Sequence, residues 1–213
     1  TSTNLILGSA IWRAGIQGQS PTVLIQFASG SDDTPWDISL DAVGGKMYWT
    51  NYGMGKIQRA DMVEEAIPED VITGLDAPAG LDLDLESGKI FWTEVNTSQI
   101  KSADLDGNNI ITLVNDPAKP YYISINTDIG KMAWTALSTG EIKLADTDGS
   151  DIQITDIAAS APRGILLESS PVSNLDNHSD IEIPEIFALH QNYQNTGLNG
   201  MQAMLHRVFI YTN

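Results

Sequence analysis

A period of about 42 residues runs through the chain and constrains its fold more than any other feature. Pro35, Pro78, Pro120 and Pro162 are separated by 43, 42 and 42 residues. Each precedes a short apolar run: Ile38-Ser39-Leu40-Asp41, Leu81-Asp82-Leu83-Asp84, Ile123-Ser124-Ile125-Asn126 and Ile165-Leu166-Leu167-Glu168. The first three alternate apolar and polar residues, the period of a strand with one buried face. Gly45-Lys46, Gly88-Lys89 and Gly130-Lys131 then open Met47-Tyr48-Trp49-Thr50, Ile90-Phe91-Trp92-Thr93 and Met132-Ala133-Trp134-Thr135. A third segment reads Ile57-Gln58-Arg59-Ala60-Asp61, Ile100-Lys101-Ser102-Ala103-Asp104 and Ile142-Lys143-Leu144-Ala145-Asp146. Asp106-Gly107 and Asp148-Gly149 mark hairpin turns, where glycine tolerates positive φ. A fourth strand follows at Val71-Ile72, Ile111 to Val114 and Ile152 to Ile154.

Four short strands per repeat make one blade of a β-propeller. A single such sheet cannot bury both faces, whereas stacking around a ring can, with the recurring Trp filling the gap between blades. The expected fold is all-β: a four-bladed propeller of four-stranded antiparallel blades, one domain spanning 1–213. The last blade is expected to be shared by the termini, from 162–168, 207–213 and 9–25. Val208-Phe209-Ile210-Tyr211-Thr212-Asn213 supplies the second-strand pattern that is missing near position 176, which leaves an insertion at about 169–206. Ile11-Trp12-Arg13-Ala14-Gly15 matches a third strand, Gln17 to Ser20 its turn, and Val23-Leu24-Ile25 a fourth. Pairing these halves removes two open strand edges. Exchange between molecules would use the same halves, although closure within one chain is favoured by effective concentration.

Tyr48-Trp49-Thr50-Asn51 and Phe91-Trp92-Thr93-Glu94 resemble the YWTD repeat of low-density lipoprotein receptor class B propellers. Ala133-Trp134-Thr135-Ala136 and Ile210-Tyr211-Thr212-Asn213 are more divergent copies. The likeness extends to the Pro, the Gly-Lys, the Ile-x-x-Ala-Asp and the Asp-Gly around them. It covers roughly 9–168 and 207–213. The resemblance implies a propeller in an extracellular setting. The family's final Asp is Asn51, Glu94, Ala136 and Asn213 here, and its members usually carry six blades where this chain holds material for four.

Composition narrows the function. The chain is 213 residues long with 42% hydrophobic residues, a globular balance, and no apolar run nears the roughly 18 residues of a membrane helix. A net charge of −17 repels phosphate backbones and anionic membranes, so neither nucleic acid nor membrane insertion is expected. With no cysteine, disulfides, iron–sulfur sites and thiol nucleophiles are excluded. The chain opens on Thr1 without a charged-then-apolar leader, as a fragment or a processed form would.

Few residues suggest chemistry. Asp146-x-Asp148-Gly149-x-Asp151 resembles the start of a calcium loop, but Ser150 and Ile157 stand where further ligands belong, and the repeat reads it as a hairpin. Asp32-Asp33 is acidic but isolated. Asp82 and Asp84 share one strand face, lining a channel or facing solvent, with Glu86 beyond them; no convergent metal set can be assembled from repeat positions. His178, His190 and His206 fall in or beside the insertion at spacings that suit no compact zinc site. No nucleophile elbow, phosphate loop or dinucleotide fingerprint is present. Asn96-Thr97-Ser98 and Asn177-His178-Ser179 fit the N-glycosylation pattern. In the insertion, Ile181 to Leu189 is apolar enough for a strand, and Met201, Met204 and Leu205 would share one side of a short helix.

The reading is therefore a non-enzymatic, extracellular propeller, without cofactor, metal or catalytic residues, that binds a protein or copies of itself, as a homo-oligomer or filament. Two alternatives come from other classes: a metal-dependent propeller hydrolase or lyase, and a carbohydrate-binding module using Trp12, Tyr121 and Tyr193. Trp12 is expected to pack between blades.

Overall fold

The computed structural model describes residues 9–13, 22–158, 164–167 and 186–187, strands joined by turns and short irregular segments. Strands β1 (Ala10–Arg13) and β2 (Thr22–Gln26) form a two-stranded sheet. Three four-stranded antiparallel meanders follow. The first holds β3 (Pro35–Asp41), β4 (Lys46–Asn51), β5 (Lys56–Asp61) and β6 (Glu69–Thr73). The second holds β7 (Pro78–Asp84), β8 (Lys89–Glu94), β9 (Gln99–Asp104) and β10 (Ile111–Asn115). The third holds β11 (Pro120–Asn126), β12 (Lys131–Ala136), β13 (Glu141–Asp146) and β14 (Gln153–Ala158). Strands β15 (Leu166–Leu167) and β16 (Ile186–Phe187) make a last pair.

The repeat motif is a set of pairings. Gly-Lys and Ala-Asp meet across the second and third strands, where Lys46, Lys89 and Lys131 face Asp61, Asp104 and Asp146 in register and bond them. The inner strands β3, β7, β11 and β15 lie side by side, and one apolar core fills each gap between successive sheets. Within a gap, the residue before Trp in one sheet meets the Trp of the next. Tyr48 packs with Trp92, and Phe91 with Trp134. Trp49, Trp92 and Trp134 are fully buried.

The two incomplete sheets fit the same scheme. The turn after each third strand latches onto the fourth strand of the preceding sheet: Gly107 lies against Val71 O and Gly149 against Leu113 O. A Cβ on either glycine would overlap that oxygen, and both have φ near +86°. In the first sheet the Ala66 N–H donates to Leu24 O of β2 (3.0 Å), which gives β1–β2 the place of a blade's outer half. In the last, Leu167 opposes Ile186 as Leu83 opposes Ile90, so β15–β16 has the register of an inner half.

That pairing differs from the sequence reading, which gave the second strand to 207–213 and placed Ile186 and Phe187 in the insertion. Ile186-Phe187 repeats Ile90-Phe91 but lacks the Trp-Thr that marks the other copies. Among the described residues no pairing joins β1–β2 to β15–β16, and no closed ring of sheets is present. Residues 207–213, the proposed Gln17 to Ser20 turn, Met201, Met204 and Leu205 lie outside the described residues.

Candidate functional site

Antiparallel order places the turns at two ends. The connections into β3, β7 and β11, and the turns β4–β5, β8–β9 and β12–β13, share the upper end; the remaining hairpins share the lower. The motif's Thr shapes the upper end. Thr50 Oγ1 accepts the Asp37 N–H (3.1 Å) of its own inner strand and donates to Ala79 O (2.6 Å) of the next. Thr93 repeats this between Gly80 N–H (2.9 Å) and Tyr121 O (2.7 Å), and Thr135 accepts the Tyr122 N–H (3.1 Å). A buried hydroxyl thus joins one inner strand to its neighbour. Lower in the same seam, Asp37 Oδ2 accepts the Leu81 N–H and Asp82 Oδ2 the Ile125 N–H.

The residue after each inner-strand proline sits where these stitches converge: Trp36, Ala79 and Tyr121. The Trp36 ring lies 5.4 Å from Tyr52 and 5.9 Å from Tyr121, and Tyr121 lies 5.0 Å from Tyr122. Trp36 belongs to β3 and Tyr121 to β11, so the contact passes over the sheet between them, where Ala79 of β7, Ala77 just before it and Val95 just after β8 form an apolar floor. Gly80 makes room below, since a Cβ there would sit within 2.5 to 2.8 Å of the Tyr121–Ile123 backbone. Trp36, Tyr52 and Tyr121 are half-buried, presenting aromatic surface at the mouth.

Charge is buried beneath the mouth. Glu94 accepts from Trp92 Nε1 (3.2 Å), from Lys101 Nζ (2.8 Å) and from the Asp76 N–H (3.3 Å). In the next blade Ala136 replaces the acid, and Asp116, from the connection before β11, takes its place. It accepts from Trp134 Nε1 (2.8 Å), Lys143 Nζ (2.8 Å) and the Ala118 N–H (3.0 Å). Burial pushes the Asp116 carboxyl up, but the Lys143 and Trp134 hydrogen bonds outweigh it and hold the group below the usual carboxylate range. In the first blade two amides stand in place of the buried acid and lysine: Asn51 donates to Gln58 and Asp33, Gln58 donates to Asp70, and the buried Trp49 Nε1 has no partner among the described residues.

The sequence candidates distribute as follows. The calcium-like loop is a hairpin whose acids are engaged by Ser150 and Lys131: Ser150 Oγ donates to Asp146 and Asp148, and Lys131 pairs with Asp146 and Asp151. Asp82 lies in the inner seam and takes Ser39 Oγ as well; Asp84 is buried and caps the Ser87 N–H, with Glu86 exposed beyond it. Asp33 supports the Asn51 side chain, and Asp32 is exposed. Asn96 is exposed on the β8–β9 turn and donates to Asp76. Tyr121 belongs to the mouth. Trp12 corrects an expectation: it is 54% exposed, because it occupies the position of Lys101 and Lys143, whose side chains face a second strand that β1 does not pair with among the described residues. His178, His190, His206, Tyr193 and Asn177 lie outside the described residues. Among those described, no group of three or more His, Asp or Glu is placed to hold a metal.

Trp36, Tyr52 and Asp116 escaped the sequence reading. Each had a signal: Trp36 and Tyr52 immediately follow repeat landmarks, and Lys143 recurs at the Lys101 position although Ala136 offers it no acid.

No protein-family model matches the chain, and no curated protein does. Solved structures do. A nidogen/laminin complex matches with a TM-score of 0.61 at 22% identity, over 70% of this chain and 57% of that one. A virginiamycin B lyase from Staphylococcus aureus matches with a TM-score of 0.56 at 21% identity, over 74% and 53%. A TolB-like protein from Agrobacterium tumefaciens gives 0.56 at 14%, over 68% and 55%. The chain thus spans little more than half the length of each. At such identities the likeness shows the fold alone, and with the repeated antiparallel sheets packed face to face it establishes that this chain is a β-propeller.

Proposed function

We propose that the chain is a non-enzymatic propeller of the YWTD type, working outside the cell, that docks a protein partner at the mouth formed by Trp36, Tyr52 and Tyr121. The mouth carries this reading: three half-buried aromatic rings over a small-residue floor, on strands cross-stitched by buried threonines. Rigid aromatic side chains supply contact area at low entropic cost, which is why they dominate binding hot spots. The nidogen/laminin complex offers a precedent of the same fold in complex with a protein.

Selection of peptides from a displayed library against the immobilised protein tests this. Binders from the mouth lose at least about tenfold in affinity to Tyr52→Ala or Tyr121→Ala, as expected for a truncated aromatic anchor. Binders indifferent to both variants would overturn the mouth as the site. The lyase among the similar structures sets the control: turnover of lactones or esters by the purified chain would overturn the non-enzymatic reading.

The same reading keeps four blades, the last assembled from β15–β16 inside and β1–β2 outside. By repeat register Arg13 then opposes Phe187, as Ser102 opposes Phe91. A disulfide forming within one chain of an Arg13→Cys/Phe187→Cys variant is expected; its absence under oxidation argues for a longer ring.

A further inference from the structure

The lower end differs from the mouth in kind. Each described turn there carries an exposed aliphatic side chain. Nearest the axis are Val43, Leu85 and Ile129, exposed by 98%, 43% and 39%. On the outer turns stand Ile67, Ile110 and Ile152, exposed by 83%, 49% and 51%. At the upper end the exposed large aliphatics among the described residues are Met54 and Leu137. Single exposed aliphatics are ordinary; one on every turn of a single end, where Gly, Asn or Ser would serve the turn as well, marks an interaction surface. The inner turns leave neighbouring strands, since Ser39 bonds Asp82 and Asp82 bonds Ile125 one or two residues before each strand ends.

Charge selects the occupant. The six described lower turns, with the strand residues that flank them, hold thirteen acids against three lysines, and those lysines already bond Asp61, Asp104 and Asp146. A second copy of this face, an anionic membrane or a nucleic acid would meet like charge. A surface that covers aliphatic side chains and brings its own cations matches both features. We infer that the lower end docks a basic amphipathic helix, with Leu or Ile on one face and Lys or Arg flanking it, belonging to a partner protein. This surface is independent of the mouth, so either can fail without the other.

The probe is a synthetic helix of about four turns, built from Leu and Lys with one apolar face, beside a scrambled peptide of the same composition. Binding is read by fluorescence anisotropy. The patterned peptide binds at least about tenfold more tightly than the scrambled one, since only it presents contiguous apolar area. A Val43→Ser/Leu85→Ser/Ile129→Ser variant loses that advantage, Tyr52→Ala/Tyr121→Ala keeps it, and added salt weakens both peptides. Val43, Leu85 and Ile129 lie on exposed turns outside the cores, and an unchanged melting temperature shows that the variant folds. Equal binding of the two peptides overturns the inference, reducing the face to diffuse acidity. So does an unchanged triple variant, or self-association of the wild type that the triple variant abolishes.

Discussion

Six described connections lie at each end of the sheets, yet the two sets are held by different means. Most lower turns close on themselves through an aspartate, even where the outer ones also touch the preceding sheet: Asp41 Oδ1 accepts the Gly44 N–H (2.6 Å), Asp84 that of Ser87 (2.9 Å), Asp106 that of Asn108 (3.0 Å) and Asp148 that of Ser150 (2.8 Å). Upper connections are held through the core. Asp116 fixes its loop to Trp134 and Lys143, Glu94 ties two segments to Trp92, and the threonines bind one inner strand to the next. The upper end is therefore part of the folding unit, and its mouth is rigid as a consequence. The lower end decorates that unit, so its side chains are free to serve recognition.

Breaking the buried pair at the upper end carries the largest expected effect. Lys143→Met leaves the Asp116 carboxylate buried with a neutral neighbour and costs about 3–5 kcal/mol, read by denaturant or thermal unfolding. The pH dependence gives the same answer by another route. Asp116 has a depressed pKa in the folded state, so its contribution is present above the unfolded value and lost as pH falls through the folded one. Removing Lys143 raises that folded value, and acid unfolding of the variant begins at higher pH. Gln58→Met, at the equivalent position of the first blade, strands no charge, since Asp70 keeps Lys56, and costs less.

The stitches come next. Thr93→Val keeps the shape but leaves the Gly80 N–H and Tyr121 C=O without their shared hydroxyl, a loss of about 1–3 kcal/mol. Thr93→Ser is expected to restore most of it. A valine variant as stable as wild type would break the idea that the upper end is cross-linked through this residue.

These contrasts show what the sequence could disclose. The 42-residue period, the Gly-Lys and the Ala-Asp gave strand order and cross-strand register, because pairing partners recur at fixed offsets. The same periodicity hid the mouth. Trp36 and Tyr121 touch only because the chain advances by two sheets between them, and no local pattern encodes that reach. Asp116 was hidden for a related reason: its carboxylate does in one blade what Glu94 does in another from a different backbone position. Ile181 to Leu189 read as apolar enough for a strand, but without Trp-Thr nothing in Ile186-Phe187 marked it as the partner of β15. The aliphatics of the lower turns lie in the open sequence but read as turn residues until the hairpins are gathered at one end.

Glycine sharpens the comparison within the lower end. Gly107 sits in one of the lower turns that latch onto a neighbouring blade, with φ +86° and no room for a Cβ beside Val71 O. Gly45 has φ +69° and open space around it. Gly107→Ala is expected to cost about 2–3 kcal/mol from strain and overlap, and Gly45→Ala about 1 kcal/mol from the left-handed backbone alone. Equal costs would mean that the latch adds nothing to the turn.

The smallest effect belongs to the exposed lysine pairs. Lys46 meets Asp61 at 2.7 Å, with the lysine side chain 32% and the aspartate 63% exposed. Its pKa is raised, chiefly by the Asp61 hydrogen bond, so any stabilisation holds below the unfolded lysine value and fades only as pH climbs through the folded one. Water and salt screen such a pair, and ordering two long side chains consumes much of what remains. Lys46→Met is therefore expected to melt with wild type at neutral pH, although Lys143→Met replaces the same residue type at a comparable distance from its acid. The difference between the two variants isolates burial as the variable. Were Lys46→Met to lose as much stability as Lys143→Met, the two ends would be equally coupled to the core, and the freedom assigned to the lower turns would have no physical basis.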